Sequence, residues 1–229
     1  MQLIQKFWQK FRLLPSAWLL CVQFALLILT TLTYGNNEYR ALTWSLGVLA
    51  LWIIAKMIRQ TPVFTIWGLI FVTGAFLFSI LIFIGYGNHA IQIVAYSFEA
   101  LAYFYAAYGL IRYMFADRYL TKDELFAAGA VFTLIAWGFA FLYNICQMIL
   151  PYSFQNPNHP QAFQSWLDLL FLSFSLQSAT GLSDLMPISP IARVLTMLQM
   201  FGGVMYLAVI VSRLIALQYI AHLPKKQND

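Results

Sequence analysis

A short polar run, Ser178–Asp184, is the stretch whose residue types could carry a chemical function. It holds three hydroxyl side chains, one carboxylate and one glycine, and it lies between an apolar segment over 165–178 and two prolines, Pro187 and Pro190. Irregular backbone at membrane depth is tolerated only where it lines a watery cavity or is buried in protein. No nucleophile is paired with a base in this sequence, so we predict a loop that lines a passage and not an enzyme.

The elements that must position this run are a half-helix and a full helix. The segment 165–178 is apolar but short, and spans of about 10–14 apolar residues indicate a re-entrant or interfacial segment. Ser165 followed by Asp168 fits a capping box at its start. Beyond the two prolines the chain continues as an apolar span, predicted over 190–217. A half-helix, an irregular return and a full helix together predict a pore loop.

This order resembles the pore of the tetrameric potassium channel family. In that family a pore helix is followed by Thr-Val-Gly-Tyr-Gly-Asp and, in many bacterial members, by a Pro-x-Ser-Pro turn into the inner helix. Pro187–Arg193 matches this turn, and Tyr206–Val209 with Arg213 matches the inner helix of small bacterial members. The resemblance covers about the last quarter of the chain. It implies a homotetramer with a central pore for a monovalent cation.

The filter itself is only partly similar to that of the family. Gly181 and Asp184 stand at the first filter glycine and at the aspartate. The replaced positions are Ala179 for Thr, Thr180 for Val, Leu182 for Tyr and Ser183 for the second Gly. We expect Ser183 to reach positive φ only at a cost of about 1 kcal/mol or more. The departures imply a degenerate filter formed by Ser178–Asp184. In this filter K+ or Na+ would bind the backbone carbonyls of Thr180, Gly181 and Leu182.

Two sites outside the loop are further candidates. Gly202 and Gly203, in the middle of the last span, could form a hinge that opens the pore, or they could allow close helix packing, the commoner use of small residues in membranes. Glu99 lies about 15 Å deep in its predicted span. An acid at that depth is by default a functional hypothesis, here an intramembrane sensor, although a hydrogen bond to a neighbouring helix is the alternative.

Histidines and a second glycine-rich turn are given simpler interpretations. His89, His159 and His222 are far apart, and we expect them to be surface residues without partners, with His159 a further guess for a proton sensor. No pore helix precedes Gly85-Tyr86-Gly87, so this tripeptide is predicted to be an ordinary turn.

Composition indicates a membrane protein. The chain has 229 residues, of which 62% are hydrophobic and 9% are charged, a balance that excludes a soluble domain of this size. Predicted crossings are 15–33, 41–58, 62–86, 90–113, 125–149 and 190–217. The predicted domains are an amphipathic interfacial helix over 1–14, a four-helix peripheral domain over 15–118, a pore domain over 119–218 and a cytoplasmic tail over 219–229. The fourth span has no arginine repeat, so the peripheral domain is not expected to sense voltage.

Charge distribution predicts the orientation. With the N-terminus inside, Arg40 and Arg193 alone of the 13 Lys and Arg residues lie outside. The positive-inside rule then places both termini in the cytoplasm of a bacterial inner membrane, with the half-helix on the outer side. Lipid headgroups account for the net charge of +5, so we expect membrane lipid as a partner and no nucleic acid.

The sequence therefore predicts an all-α transmembrane fold of six helices plus a re-entrant pore helix and filter loop, assembled as a fourfold homo-oligomer. The predicted function is passive conduction of a monovalent cation, K+ first, without a cofactor. Two alternatives stay open. One is a non-conducting scaffold or regulatory subunit, and the other is a non-selective or sodium-passing channel.

A chimeric filter tests the interpretation of the departures. Replacing 179–183 by Thr-Val-Gly-Tyr-Gly should increase the preference for K+, because it restores the hydroxyl ring and the second glycine. Permeability ratios from bilayer recordings check this, and equal ratios in the two proteins would count against it.

Overall fold

The computed structural model describes residues 15–32, 65–116, 122–157 and 161–221. Six helices lie in these ranges: α1 Pro15–Leu32, α2 Thr65–Phe83, α3 His89–Ala116, α4 Lys122–Ile149, α5 Trp166–Gln177 and α6 Pro190–Ala221. Two short strands, β1 Phe154–Gln155 and β2 Met186–Pro187, flank α5 in the chain. The predicted helix 1–14, the span 41–58, His159, His222 and the end of the tail lie outside the described residues.

Helix α4 is the centre of the structure. It packs against α1, α3, α5 and α6, while α2 packs on the other side of α3. Alanines at 127, 130, 136 and 140 are fully buried in these contacts, and side chains this small let neighbouring helices approach closely. Aromatic rings fill the wider gaps: Trp166 of α5 lies 4.5 Å from Phe141 of α4, centroid to centroid. Helix α5 is therefore anchored on α4.

Three helices in the described part of the chain are long and apolar enough to cross a membrane, namely His89–Ala116, Asp123–Ile149 and Pro190–Ala216. This confirms an all-α membrane protein. The apolar stretches described in α1 and α2 are shorter, Ser16–Leu29 and Ile66–Ile82. Six crossings therefore remain a prediction. Between α2 and α3 the chain makes the predicted turn, with Gly85 at φ 107°.

The segment between α4 and α6 folds back on itself. Helix α5 has 12 residues and is about 18 Å long, which is shorter than the roughly 30 Å of a bilayer core. Strands β1 and β2 pair antiparallel, with Phe154 opposite Pro187 and Gln155 opposite Met186. The chain before α5 and the chain after the polar loop therefore lie side by side. The strands were not predicted from the sequence.

At the end of the bundle where α1 and α4 begin, charged residues join several helices; we name this group the Arg213 cluster (Ser16, Met114, Asp123, Glu124 and Arg213). Asp123 accepts hydrogen bonds from the Ser16 amide (3.3 Å) and the Ser16 hydroxyl (2.9 Å), and so caps α1. Arg213 of α6 donates to the Met114 carbonyl of α3, and its Nη2 lies 3.8 Å from Glu124 Oε2. The last turns of α6 are thereby tied to α3 and α4.

Removal of Glu124 should lower stability strongly. The Glu124 and Arg213 side chains are 2% and 14% exposed, and loss of one partner of a buried ion pair costs roughly 3–5 kcal/mol because the other charge is left behind. Glu124→Ala should therefore lower the midpoint of thermal unfolding in detergent by several degrees.

Leu125→Ala is the matched control, since Leu125 is the next residue and its side chain is 57% exposed. It should change the midpoint little. A second check is the double variant Glu124→Ala/Arg213→Leu, which should lose less than the sum of its parts. Unchanged stability of Glu124→Ala would contradict the ion pair.

Candidate pore loop

The start of α5 is capped as the sequence predicts. The Ser165 hydroxyl oxygen accepts the Asp168 amide at 3.2 Å, and the hydroxyl donates to the Asp168 carboxylate at 2.6 Å. A capped N-terminus fixes where the helix begins. The helix is oriented so that its C-terminal end meets the polar loop.

The end of α5 is closed by two backbone hydrogen bonds. The Ala179 amide donates to the Leu176 carbonyl (3.2 Å), and the Thr180 amide donates to the Ser175 carbonyl (3.0 Å). This pair is the Schellman arrangement, which needs a left-handed residue after the cap. Ala179 is that residue, with φ 57°. Glycine is usual at such a position because an L side chain disfavours this conformation.

Two residues of the loop have positive φ, Ala179 and Gly181, the latter at 66°. Ser183, at which positive φ was expected to be costly, does not adopt it. A Cβ on Gly181 would meet no atom within 4 Å, so its backbone conformation, and not space, favours glycine there.

Ser175 holds the loop from behind and was missed in the sequence. Its carbonyl accepts the amides of Thr180 (3.0 Å) and Gly181 (3.3 Å), and its hydroxyl oxygen accepts the Ser183 amide at 3.2 Å. Ser175 is itself buried. A serine within an apolar half-helix, three residues before its cap, is the signal that could have identified it.

The loop between these anchors lies at the surface of the subunit. Ala179, Thr180, Gly181, Leu182 and Asp184 are exposed, and Ser178 and Ser183 are half-buried. The Ser178 and Thr180 hydroxyl oxygens are 3.0 Å apart. The sequence-predicted residues are therefore brought together as one continuous exposed segment. Backbone oxygens and hydroxyl groups are the types of ligand that monovalent cations take in filters.

The exit from the loop is fixed by the proline turn. The Ser153 carbonyl accepts the Ile188 amide at 2.8 Å, which extends the β1–β2 pairing. The Ser189 hydroxyl oxygen accepts the Ala192 amide (3.2 Å) and caps α6, with Pro190 in its first position. Arg193 Nε donates to the Pro187 carbonyl at 3.3 Å.

Two buried glutamines brace the segment before α5 and were also missed. The side chain of Gln147 in α4 makes two hydrogen bonds to the backbone of Gln164. Its Oε1 accepts the Gln164 amide (2.8 Å), and its Nε2 donates to the Gln164 carbonyl (3.1 Å). Gln164 Nε2 donates to the Phe154 carbonyl at 3.0 Å. These bonds satisfy irregular backbone that is buried away from water.

The two candidate hinge glycines differ in their surroundings. A Cβ on Gly203 would lie 2.7 Å from the Gln177 carbonyl oxygen, so this glycine lets α6 pack directly on the backbone of α5. A Cβ on Gly202 would meet nothing within 4 Å. Helix α6 runs unbroken through both residues. Close packing accounts for Gly203, and a hinge stays a prediction.

Glu99 and His89 have partners in neighbouring helices. The Ser79 hydroxyl of α2 donates to Glu99 Oε1 at 3.1 Å, the kind of contact weighed as the alternative to a sensor. A sensor role for Glu99 stays a prediction.

His89 Nε2 lies 2.9 Å from the Met148 carbonyl oxygen at the end of α4. The expectation that His89 has no partner was therefore wrong. Because α4 ends at Ile149, the Met148 carbonyl has no partner within the helix and is open to the His89 side chain.

Comparison with known families supports a channel. Residues 128–218 match the family model described as "Ion channel". The match begins in α4, includes α5 and the polar loop, and ends in α6, so it supports passage of ions through this part of the chain. No curated protein and no solved structure matches the chain.

Ala179→Gly should stabilise the protein. A left-handed alanine costs about 1–2 kcal/mol, and the greater chain entropy of glycine offsets part of the relief, which leaves a gain of roughly 0.5–1 kcal/mol. Ala208→Gly, at an exposed helical position in α6, should instead lose about 0.5–1 kcal/mol. Thermal unfolding in detergent compares the two variants, and shifts of the same sign would argue against a strained Ala179.

Proposed function

We propose that the chain is one subunit of a homotetramer that conducts monovalent cations passively, K+ first, with weaker selectivity than a two-glycine filter gives. The ions would bind at the carbonyl oxygens of Thr180, Gly181 and Leu182. The observation that carries the proposal is the exposed loop 178–184 held at the C-terminal end of a buried half-helix. That end carries a partial negative charge from the helix dipole, which favours a cation.

Exposure along α6 supports assembly with further copies. In the most apolar 18-residue stretch of α6, only 22% is buried within one subunit, whereas the corresponding share in α4 is 61%. Large side chains are exposed on α6 at intervals along its length, among them Val194, Met197, Phe201, Val204 and Val211. A single loop cannot surround an axis. Copies packed on α6 would cover part of this surface and bring equivalent loops together around a central path.

Reduced selectivity is proposed from the backbone of the loop. Within residues 180–184, Gly181 alone has positive φ. One glycine turns fewer carbonyls toward the axis than two glycines would, and Ala179 supplies no hydroxyl at the inner end. Asp184 is exposed and would add negative charge at the mouth, where four copies attract cations of either kind.

The proposed setting is a bacterial cytoplasmic membrane with both termini in the cytoplasm. Under this orientation the Arg213 cluster lies on the cytoplasmic side, and the paired strands β1 and β2 lie on the outer side. Membrane lipid would cover the exposed apolar surface of α2, where Ile66 and Trp67 are 74% and 63% exposed.

Ion flux into liposomes tests conduction. Reconstituted protein should collapse a K+ gradient and, more slowly, a Na+ gradient. Gly181→Ala should reduce the K+ flux at least about tenfold, because alanine at φ 66° costs about 1–2 kcal/mol in each of four subunits and disturbs the carbonyls.

Gly109→Ala is the control, since Gly109 lies in α3 and a Cβ there meets nothing within 4 Å. Its flux should equal that of the unaltered protein. Native mass spectrometry of the same preparations gives the stoichiometry. An intact tetramer without flux would overturn conduction in favour of a non-conducting subunit, and a monomer would overturn the pore altogether.

A further inference from the structure

A buried polar cluster joins α4, α5 and α6 behind the exposed loop. Its members are Tyr143 on α4, Ser173 and Gln177 on α5, and Gln199 on α6, and we name it the Gln199 bridge. Each of the four side chains is fully buried. Polar side chains are rarely buried unless they are hydrogen-bonded, so the cluster needs an explanation beyond packing.

The hydrogen bonds of the bridge form one directional chain. The Tyr143 hydroxyl donates to Gln199 Oε1. Gln199 Nε2 donates to the Ser173 carbonyl (3.0 Å) and lies 2.7 Å from the Ser173 hydroxyl oxygen and 3.3 Å from Gln177 Oε1. The Ser173 hydroxyl in turn donates to the Ala136 carbonyl at 2.6 Å. Gln199 thus connects α6 to both other helices of the bridge.

A second contact one turn later fixes the same face of α6. Gly203 follows Gln199 by four residues, so both lie on one side of the helix. A Cβ on Gly203 would stand 2.7 Å from the Gln177 carbonyl oxygen and 3.0 Å from its Cα. Apolar side chains can slide past one another, whereas directed hydrogen bonds and backbone contact allow one register.

The bridge lies next to the loop along α5. Gln177 is the last residue of α5, two residues before Ala179. Ser175, whose carbonyl and hydroxyl hold the loop amides, lies between the two members of the bridge on that helix. A shift or rotation of the end of α5 would therefore move the Ser175 groups that bind the amides of Thr180, Gly181 and Ser183.

We propose that Gln199 is a positioning residue for the pore loop. It fixes the end of α5 against α6 and α4, and so sets the positions of the loop carbonyls that distinguish K+ from Na+. This inference rests on the proposed conduction through the loop, and it names the contact that sets selectivity there.

The test compares three variants by permeability ratio. Gln199→Leu keeps a similar volume and removes the bridge, but it leaves the Tyr143 hydroxyl without an acceptor and Gln177 Oε1 without the Gln199 donor. Gln199→Leu/Tyr143→Phe removes that unpaired hydroxyl as well. Gln92→Leu is the matched control, because it deletes a glutamine bond to the Gly87 carbonyl in the turn before α3 (2.9 Å).

A positioning role predicts different outcomes for stability and selectivity. The double variant should unfold at a higher temperature than Gln199→Leu, because the unpaired hydroxyl is gone, while its ratio of K+ to Na+ permeability stays at least threefold below that of the unaltered protein. Gln92→Leu should keep the ratio. Recovery of the ratio together with stability in the double variant would reduce the bridge to a structural role and overturn the proposal.

Hydrogen exchange tests the bridge independently of conduction. In the double variant the amides of Thr180, Gly181 and Ser183 should exchange at least tenfold faster, with no change in α1. If the unaltered protein carries no ions, the proposed function fails, and the exchange result alone decides whether Gln199 positions the loop. Unchanged protection of the three amides would overturn the positioning role.

Discussion

Backbone polar groups that cannot bind water have to find partners within the protein, and the end of α5 is where this requirement shapes the structure. A helix leaves its last four carbonyls without intrahelical partners. The Ser175 carbonyl accepts the amides of Thr180 and Gly181, and the Ser175 hydroxyl oxygen accepts the amide of Ser183. The loop is therefore built on the free end of the helix. What remains exposed is a short stretch of backbone, turned by a left-handed Ala179 and by Gly181.

The rest of the bundle holds this helix end at a fixed place. Helix α4 packs closely against its neighbours through its buried alanines, and its Gln147 binds the segment that leads into α5. Strands β1 and β2 clamp the entrance to the exit, so the loop has two fixed ends. At the far end of the bundle the Arg213 cluster ties α6 to α3 and α4. In the middle of α6, Gln199 and Gly203 fix the helix against α5, and the Tyr206 hydroxyl donates to the Ala128 carbonyl of α4.

Run lengths, caps and prolines sufficed to predict the helices in the part of the chain that the structure describes. Ser165 and Pro190 mark helix starts, and the run 165–178 was recognised as too short to cross because length alone decides that question. Side-chain partners could not be predicted, because they depend on how helices rotate against one another. Gln147 with Gln164, Ser79 with Glu99 and His89 with Met148 are such cases. The left-handed Ala179 was not predicted, because it follows from the Schellman turn that ends α5, and alanine gives no sequence signal for positive φ.

Burial of polar side chains and exposure of apolar ones divide the subunit into two kinds of surface. Between α4, α5 and α6 lie glutamines, serines and a tyrosine with no exposed surface, whereas α6 leaves residues such as Phe201, at 70%, uncovered. Directed bonds therefore determine the geometry inside the chain, and its exposed apolar surface would be covered by lipid and, in the proposed assembly, by further copies. A pore needs both properties, because ligand distances must be fixed within each subunit while several subunits close around the axis. In the proposed homotetramer, the exposed loop would be one part of a site that further copies complete.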